Sequence, residues 1–349
     1  MARLYGREWT RRELEARVGR IEQLGGVQPF VMREGPEAAQ EVFRVRTGSG
    51  LSYWVHPGKG MDISLAEFCG IPVSWSAGNG DPHAAYFREE GNYWLRTASG
   101  GLLMTCGLSQ AGAAGQDQYG AYGLHGRIHH TPARQAAYQT EWQGDEYEMR
   151  LRGVVEETSI FGHKLRLTRT ITSRLGENSL QLNDTVENAG FTPAPHLMLY
   201  HFNFGYPLLA EDTRIILPES TCAARDADME MSRMNEWQTP DHRHAEQVYY
   251  HEPLSQETYI CAQINSPSFP IPGAASSAGG LTLELKWNRR TLPRLVQWRM
   301  PGAGEHVLGL EPSNCWTRGR AEEQEADSLQ LLEPGAAVHY EIELKFTTN

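Results

Sequence analysis

Alternation between apolar and polar positions is the dominant pattern in the chain. Leu165, Leu167 and Ile171 alternate with Arg166, Thr168 and Thr170, and Leu180 and Leu182 alternate with Gln181 and Asn183. Leu281, Leu283, Leu285 and Trp287 alternate with Thr282, Glu284 and Lys286, and the run closes with Val338, Tyr340, Ile342, Leu344 and Phe346 against His339, Glu341, Glu343 and Lys345. A period of two marks strands with one dry and one wet face, the pattern of antiparallel sheets. Phe43, Val45 and Thr47, then Leu51, Tyr53 and Val55, repeat it between Gly and Pro stops. His56 to Trp75 reads as strand, turn and strand, with Gly58, Gly60, Gly70 and Pro72 as punctuation. Each dry face needs a partner, so these strands predict an all-β sandwich of packed sheets.

Helical periodicity is confined to the start. Thr10 and Glu13 form a capping box ahead of Leu14, Val18 and Ile21, and Gly25 and Gly26 end the run. Residues 1–30 are therefore expected to be a helical extension of a single β-sandwich domain spanning 1–349. The glycine-rich stretch from Ser99 to Pro132 is too irregular for a regular element, and ordered loops of that length are usually functional. The Pro/Gly/Ser/Ala tract from Ser266 to Gly280 reads as an insertion loop, because alternation resumes at once at Leu281. No repeat of about 20 to 50 residues is evident.

Composition narrows the function classes. The 349 residues carry a net charge of −11 with no Lys/Arg block beyond two or three residues, which removes the electrostatic footprint of a nucleic-acid binder. No apolar run approaches the roughly 20 residues of a membrane span. The charged start lacks the apolar stretch of a signal peptide, so a cytoplasmic location is expected. Cys69, Cys106, Cys222, Cys261 and Cys315 are odd in number and widely spaced, so buried reduced thiols are expected rather than disulfides or a zinc knuckle.

Three polar clusters stand out from the core pattern. In the run Pro195 to Pro207, Leu197, Leu199, His201 and Asn203 share one strand face, and Gly205 and Pro207 then break the strand, which predicts that the imidazole and amide lie near a rim. In GLHGRIHHTP, His125, Arg127, His129 and His130 gather around Gly123 and Gly126. In HVLGLEPSN, Val307, Gly309 and Glu311 share a face, and Pro312 is expected to end the strand and leave the carboxylate at a mouth. Asp62, among apolar neighbours, is either a turn-capping carboxylate or one that faces a ligand. The histidines lack the spacing of HExxH and have no acid among them, so no metal site is expected. GxSxG, GxGxxG and Walker A sequences are absent, which disfavours a serine nucleophile and nucleotide cofactors. A Glu with one or two His is what acid/base chemistry on a neutral substrate uses, and Trp94 and Trp316 could wall a sugar ring.

The sequence resembles the aldose 1-epimerase (galactose mutarotase-like) superfamily, in a divergent branch. The resemblance runs from about Gly58 to the C-terminal strands through GMDIS, RTASGGLLMTCGL, LHGRI, YHFNFG and GLEPSN, in the family's order. It implies a β-supersandwich, no cofactor, a small-molecule sugar as partner, and interconversion of sugar anomers. It casts Glu311 as the general base, His201 as the general acid and His125 near the ring oxygen. Arg96, Asp62, Asn203 and Arg127 become candidate substrate-binding residues, and His129 and His130 loop or supporting ones. The best-known relatives carry a tandem Asn-Arg and an HxYFN-like or HxYWN-like run where this chain has YHFN, which leaves the acid between His201 and His125. A carbohydrate-binding protein without catalysis, or a different sugar isomerase or lyase, are the alternatives on the same scaffold.

Overall fold

A computed structural model of the chain describes residues 1–227, 229–273 and 279–348. Two large antiparallel sheets dominate it. The eight-stranded sheet runs in the order Arg134–Gln143, Glu146–Thr158, Lys164–Arg174, Ser179–Asn188, Ala337–Thr348, Leu281–Asn288, Tyr259–Ser266 and Arg214–Ile216. It contains every strand that alternates most cleanly, because one of its faces meets water. The eleven-stranded sheet carries Ser220–Ala224, Gln247–Pro253, Arg294–Met300, Val307–Ser313, Leu197–Phe204 and Leu103–Leu108 in adjacent positions, and continues through Asp62–Phe68 to Gly26–Val31. The main core lies between the sheets, with Leu151, Leu167 and Ile171 of one packed with Tyr53, Met198, Tyr200 and Phe202 of the other.

The central strands of the larger sheet are buried on both faces. A second core formed by Trp94, Met104, Cys106, Leu199, Val248 and Val296 covers the face turned away from the sandwich. Leu197, Leu199, His201 and Asn203 share that face, while Met198, Tyr200, Phe202 and Phe204 point into the main core, the alternation expected of this strand.

Four sequence expectations need correction. The helix spans only Arg11–Glu15; its capping box is present, but Ala16 closes it, Val18 lies in irregular chain beyond it, and Ile21 starts a 3-10 turn. The rest of residues 1–30 is a small hairpin, Ala2–Leu4 with Arg7–Trp9, turned at Tyr5 and Gly6, and the start of the edge strand Gly26–Val31. Strands of three residues are too short to show a period. The glycine-rich stretch contains Leu103–Leu108, a strand with every residue buried, so its apolar run has no alternation to read. Pro312 does not end its strand, which continues to Ser313. The tract from Ser266 to Gly280 lies partly outside the described residues. Among the described residues no helix is long and apolar enough to cross a membrane.

Candidate active site

His201 and Glu311 come from neighbouring strands, Leu197–Phe204 and Val307–Ser313. The ladder between them pairs Leu199 with Ser313 and Phe202 with Leu310, and lapses between those levels. Pro312 falls in the gap and has no N–H to donate. The same register sets His201 opposite Glu311, and Nε2 of the imidazole stands 3.2 Å from Oε1 of the carboxyl. Their approach lacks hydrogen-bond alignment, so Glu311 Oε1 has no hydrogen-bond partner among the described residues. Gly309 makes room for the acid, since a Cβ there would lie 2.7 Å from Glu311 Oε1.

His125 reaches the same place from the loop above. It adopts a left-handed backbone, φ 56°, stabilised by its N–H donating to Gly112 O at 2.7 Å. The next residue must be glycine: Gly126 has φ 71°, and a Cβ on it would meet Gln110 O at 2.4 Å. The Gly112 N–H donates to Nδ1 of His125 at 3.3 Å, so the proton of the neutral ring resides on Nε2. The rings of His125 and His201 meet edge to face at 5.9 Å.

These three residues line a pocket of about 390 Å³, within the size range of small-molecule sites. Trp94 packs 4.8 Å from His125, Trp298 stands edge-on to His201 at 5.3 Å, and Trp75 meets Trp298 at 6.0 Å. At one end Arg225 Nη2 pairs with Glu246 Oε1 at 2.7 Å, and Glu246 Oε2 accepts the Trp298 indole N–H at 3.2 Å. Burial, helped by the charge of Glu246, pushes the Glu311 carboxyl well above the usual carboxylate range. Burial, with His125 nearby, pushes the His201 imidazole down to about 3, and burial alone takes His125 to about 4.

The structure thus brings Glu311, His201 and His125 together, and it does not bring the other candidates into the lining. Asp62 is fully engaged below the pocket floor: it accepts from Thr105 N at 2.8 Å, from Arg169 Nη1 at 2.6 Å, and from His129 Nδ1 at 2.6 Å. Asn203 is buried and donates to Gly101 O and His201 O. Arg96 is exposed, with its guanidinium over Tyr93, and Arg127 pairs with Glu89 at 3.6 Å. Trp316 packs against Tyr250 and Arg294 instead of walling the pocket. Sequence reasoning missed Trp75, Trp298, Arg225 and Glu246, which lie far apart along the chain and carry no local motif. Among the described residues no group of three or more His, Cys, Asp or Glu side chains is arranged to hold a metal ion.

The family described as Domain of unknown function (DUF4432) matches residues 37–346. No curated protein sequence matches the chain. Among solved structures, a Klebsiella pneumoniae subsp. pneumoniae MGH 78578 protein provisionally described as an aldose 1-epimerase superposes with a TM-score of 0.81 at 23% identity, over 92% of this chain and 83% of that one. A galactose mutarotase-like protein from Clostridium acetobutylicum gives a TM-score of 0.60 at 11% identity, over 94% and 100% of the two chains. Galactose 1-epimerase from Lactobacillus acidophilus NCFM gives 0.56 at 11% identity, over 93% and 99%. At these identities the likeness is one of fold: a galactose mutarotase-like β-sandwich.

Proposed function

The chain belongs to the DUF4432 family, and from that premise we propose that it is a sugar mutarotase, an isomerase that exchanges the anomers of a free monosaccharide or close derivative. The observation that carries this reading is the 3.2 Å approach of His201 Nε2 to Glu311 Oε1 beside His125 in one aromatic-walled pocket. In the proposed reaction Glu311 takes the proton of the anomeric hydroxyl while His201 gives one to the ring oxygen. The bond between the anomeric carbon and that oxygen breaks, the aldehyde rotates, and closure from the other face returns both protons. His125 offers its Nε2–H to the ring-oxygen region. Trp75, Trp94 and Trp298 supply flat apolar surface to a sugar ring, and among the described residues the charged lining is limited to Arg225, Glu246 and Glu311, the first two paired, which suits an uncharged substrate.

One proton shared between Glu311 and His201 provides one acid and one base whichever of the two holds it. Burial favours the neutral pair, and moving its one proton from Glu311 to His201, once bound sugar brings the two side chains into line, gives the carboxylate and imidazolium that the reaction uses. NMR exchange spectroscopy on a panel of free monosaccharides tests the reading. The wild-type chain should accelerate anomer exchange, and Glu311→Gln and His201→Asn should each lose at least about 10²-fold of that acceleration. Full exchange in Glu311→Gln would remove the carboxylate from the mechanism. Sugar binding by the wild-type chain without acceleration would make the protein a carbohydrate binder instead.

A further inference from the structure

The strands that carry the pocket hold a second set of chemically distinctive side chains on their reverse face. Ser220–Ala224 pairs antiparallel with Gln247–Pro253 and sets Cys222 directly opposite His251. Val248 and Val296 face the pocket, so strand alternation turns His251 and Gln297 the other way. On that side Met234 brings its Sδ to 3.8 Å from Cys222 Sγ, and His251 Nε2 lies 3.8 Å from the same sulfur.

We propose that Cys222, Met234 and His251 form a binding site for a soft monovalent metal ion, copper(I). With metal–sulfur bonds of about 2.3 Å and a metal–nitrogen bond of about 2.0 Å, the two 3.8 Å edges subtend roughly 110° and 120° at a common centre. Those angles are close to the tetrahedral and trigonal values, so Cys222 stands at a bridging distance from each of the other two donors. The thioether selects the ion: zinc is held by thiolate, imidazole and carboxylate, whereas thiolate with thioether is a copper(I) set. Charge agrees, because one thiolate neutralises one monovalent cation, and the three donors include no carboxylate.

Supporting partners are in place. Ser220 Oγ lies 3.1 Å from His251 Nδ1 and can accept its N–H, which frees the Nε2 lone pair for the metal. Gln297 Nε2 donates to Met234 O at 2.8 Å and pins the loop that carries the thioether. Gln297 Oε1 stands 3.2 Å from His251 Nε2 and accepts from it in the metal-free tautomer. Metal binding exchanges that bond for coordination, and the Cys222 thiol releases its proton to solvent.

The test is an anaerobic titration of the full, reduced chain with copper(I) in competition with bicinchoninate. One ion should bind per chain. Cys222→Ser and Met234→Leu should each weaken it at least tenfold, and Ser220→Ala by about tenfold or more. Cys69→Ser removes an exposed thiol elsewhere and should change nothing. X-ray absorption at the copper edge should show two sulfur neighbours and one nitrogen. Absence of saturable binding, or binding that survives both Cys222→Ser and Met234→Leu, would overturn the site. Displacement of copper(I) by an equal amount of zinc would overturn the assignment of the ion.

Discussion

The carboxyl of Glu311 has its place because residue 309 carries no side chain. A methyl group at Gly309 would stand 2.7 Å from Oε1 of the acid and 3.2 Å from Trp298 Cβ, so Gly309→Ala should displace the carboxyl and the indole together. The expected result is a fall of about 10²-fold in the catalysed exchange rate, the cost of misplacing a reacting group by about an ångström. The urea midpoint should move by only the roughly 1–3 kcal/mol of overpacking. Exchange at the wild-type rate would show that the position of this carboxyl is immaterial. The His201–Glu311 pair makes a second prediction at this scale. His201 is held down to about 3 and Glu311 well above its usual range, so the pair keeps one proton across neutral pH and titrates as a unit. Below that window a second proton removes the base, and above it loss of the first removes the acid. The pH profile of kcat/KM should therefore have its acid limb well below 6.5, the ordinary imidazole value. An acid limb centred near 6.5 would mean that His201 titrates like an exposed histidine.

Between elements, the decisive side chain is Arg169. It projects from Lys164–Arg174 of the smaller sheet, grips Asp184 through Nε and Nη2, and reaches across the sandwich to Asp62 and Thr105 of the larger one. Asp62 in turn orients His129, whose ring lies 6.0 Å from Trp94 in the pocket wall. Asp62→Ala should cost roughly 3–5 kcal/mol in chemical unfolding, because it removes one partner of a buried ion pair. Exchange measured where the variant is still folded should stay within a few-fold of wild type; a loss as deep as that of Glu311→Gln would return Asp62 to the substrate. The same contrast explains what the sequence could disclose. Strands with one wet face announced themselves, and so did the face shared by His201 and Asn203. Leu103–Leu108 did not, because burial on both faces erases the period. Glu311 and His201 could be named from their local runs, but their meeting depends on a strand register that only the folded sheet sets. Trp75, Trp298, Arg225 and Glu246 converge through the fold alone, and Arg96 and Arg127, though near the right loops, point their charges elsewhere.

For the molecule as a whole, the most general consequence of the architecture is the number of imidazoles it buries wholly or in part. His56, His125, His129, His130, His163, His196, His201, His251 and His306 all have their pKa values lowered, in each case chiefly by burial. A histidine with a lowered folded value takes up its proton in the unfolded chain near 6.5 and in the folded chain only in stronger acid, so falling pH favours unfolding across that interval. Four of them are held at about 4 or below: His125 and His196 at about 4, His201 at about 3 and His130 at about 2. Glu311 and Asp62, whose values are raised by burial, work in the opposite direction, but they are two groups against nine. Surface carboxylates with lowered values, such as Glu13 and Asp226, withdraw their stabilisation only below about 4.5, so the interval from pH 7 to pH 5 isolates the histidines. Unfolding free energy from urea titration should fall steadily across it, by on the order of 1–2 kcal/mol for each fully buried imidazole. His196 offers an internal control, since its Nε2 meets Tyr340 Oη at 2.6 Å and its Nδ1 lies 3.3 Å from Leu108 O, away from the pocket. His196→Gln keeps a polar group in that position without a titrating proton, and its stability should decline with pH less steeply than wild type by one histidine's share. Stability that stays level between pH 7 and pH 5, or a slope unchanged in His196→Gln, would mean that these rings take up protons in the folded chain as readily as in the unfolded one.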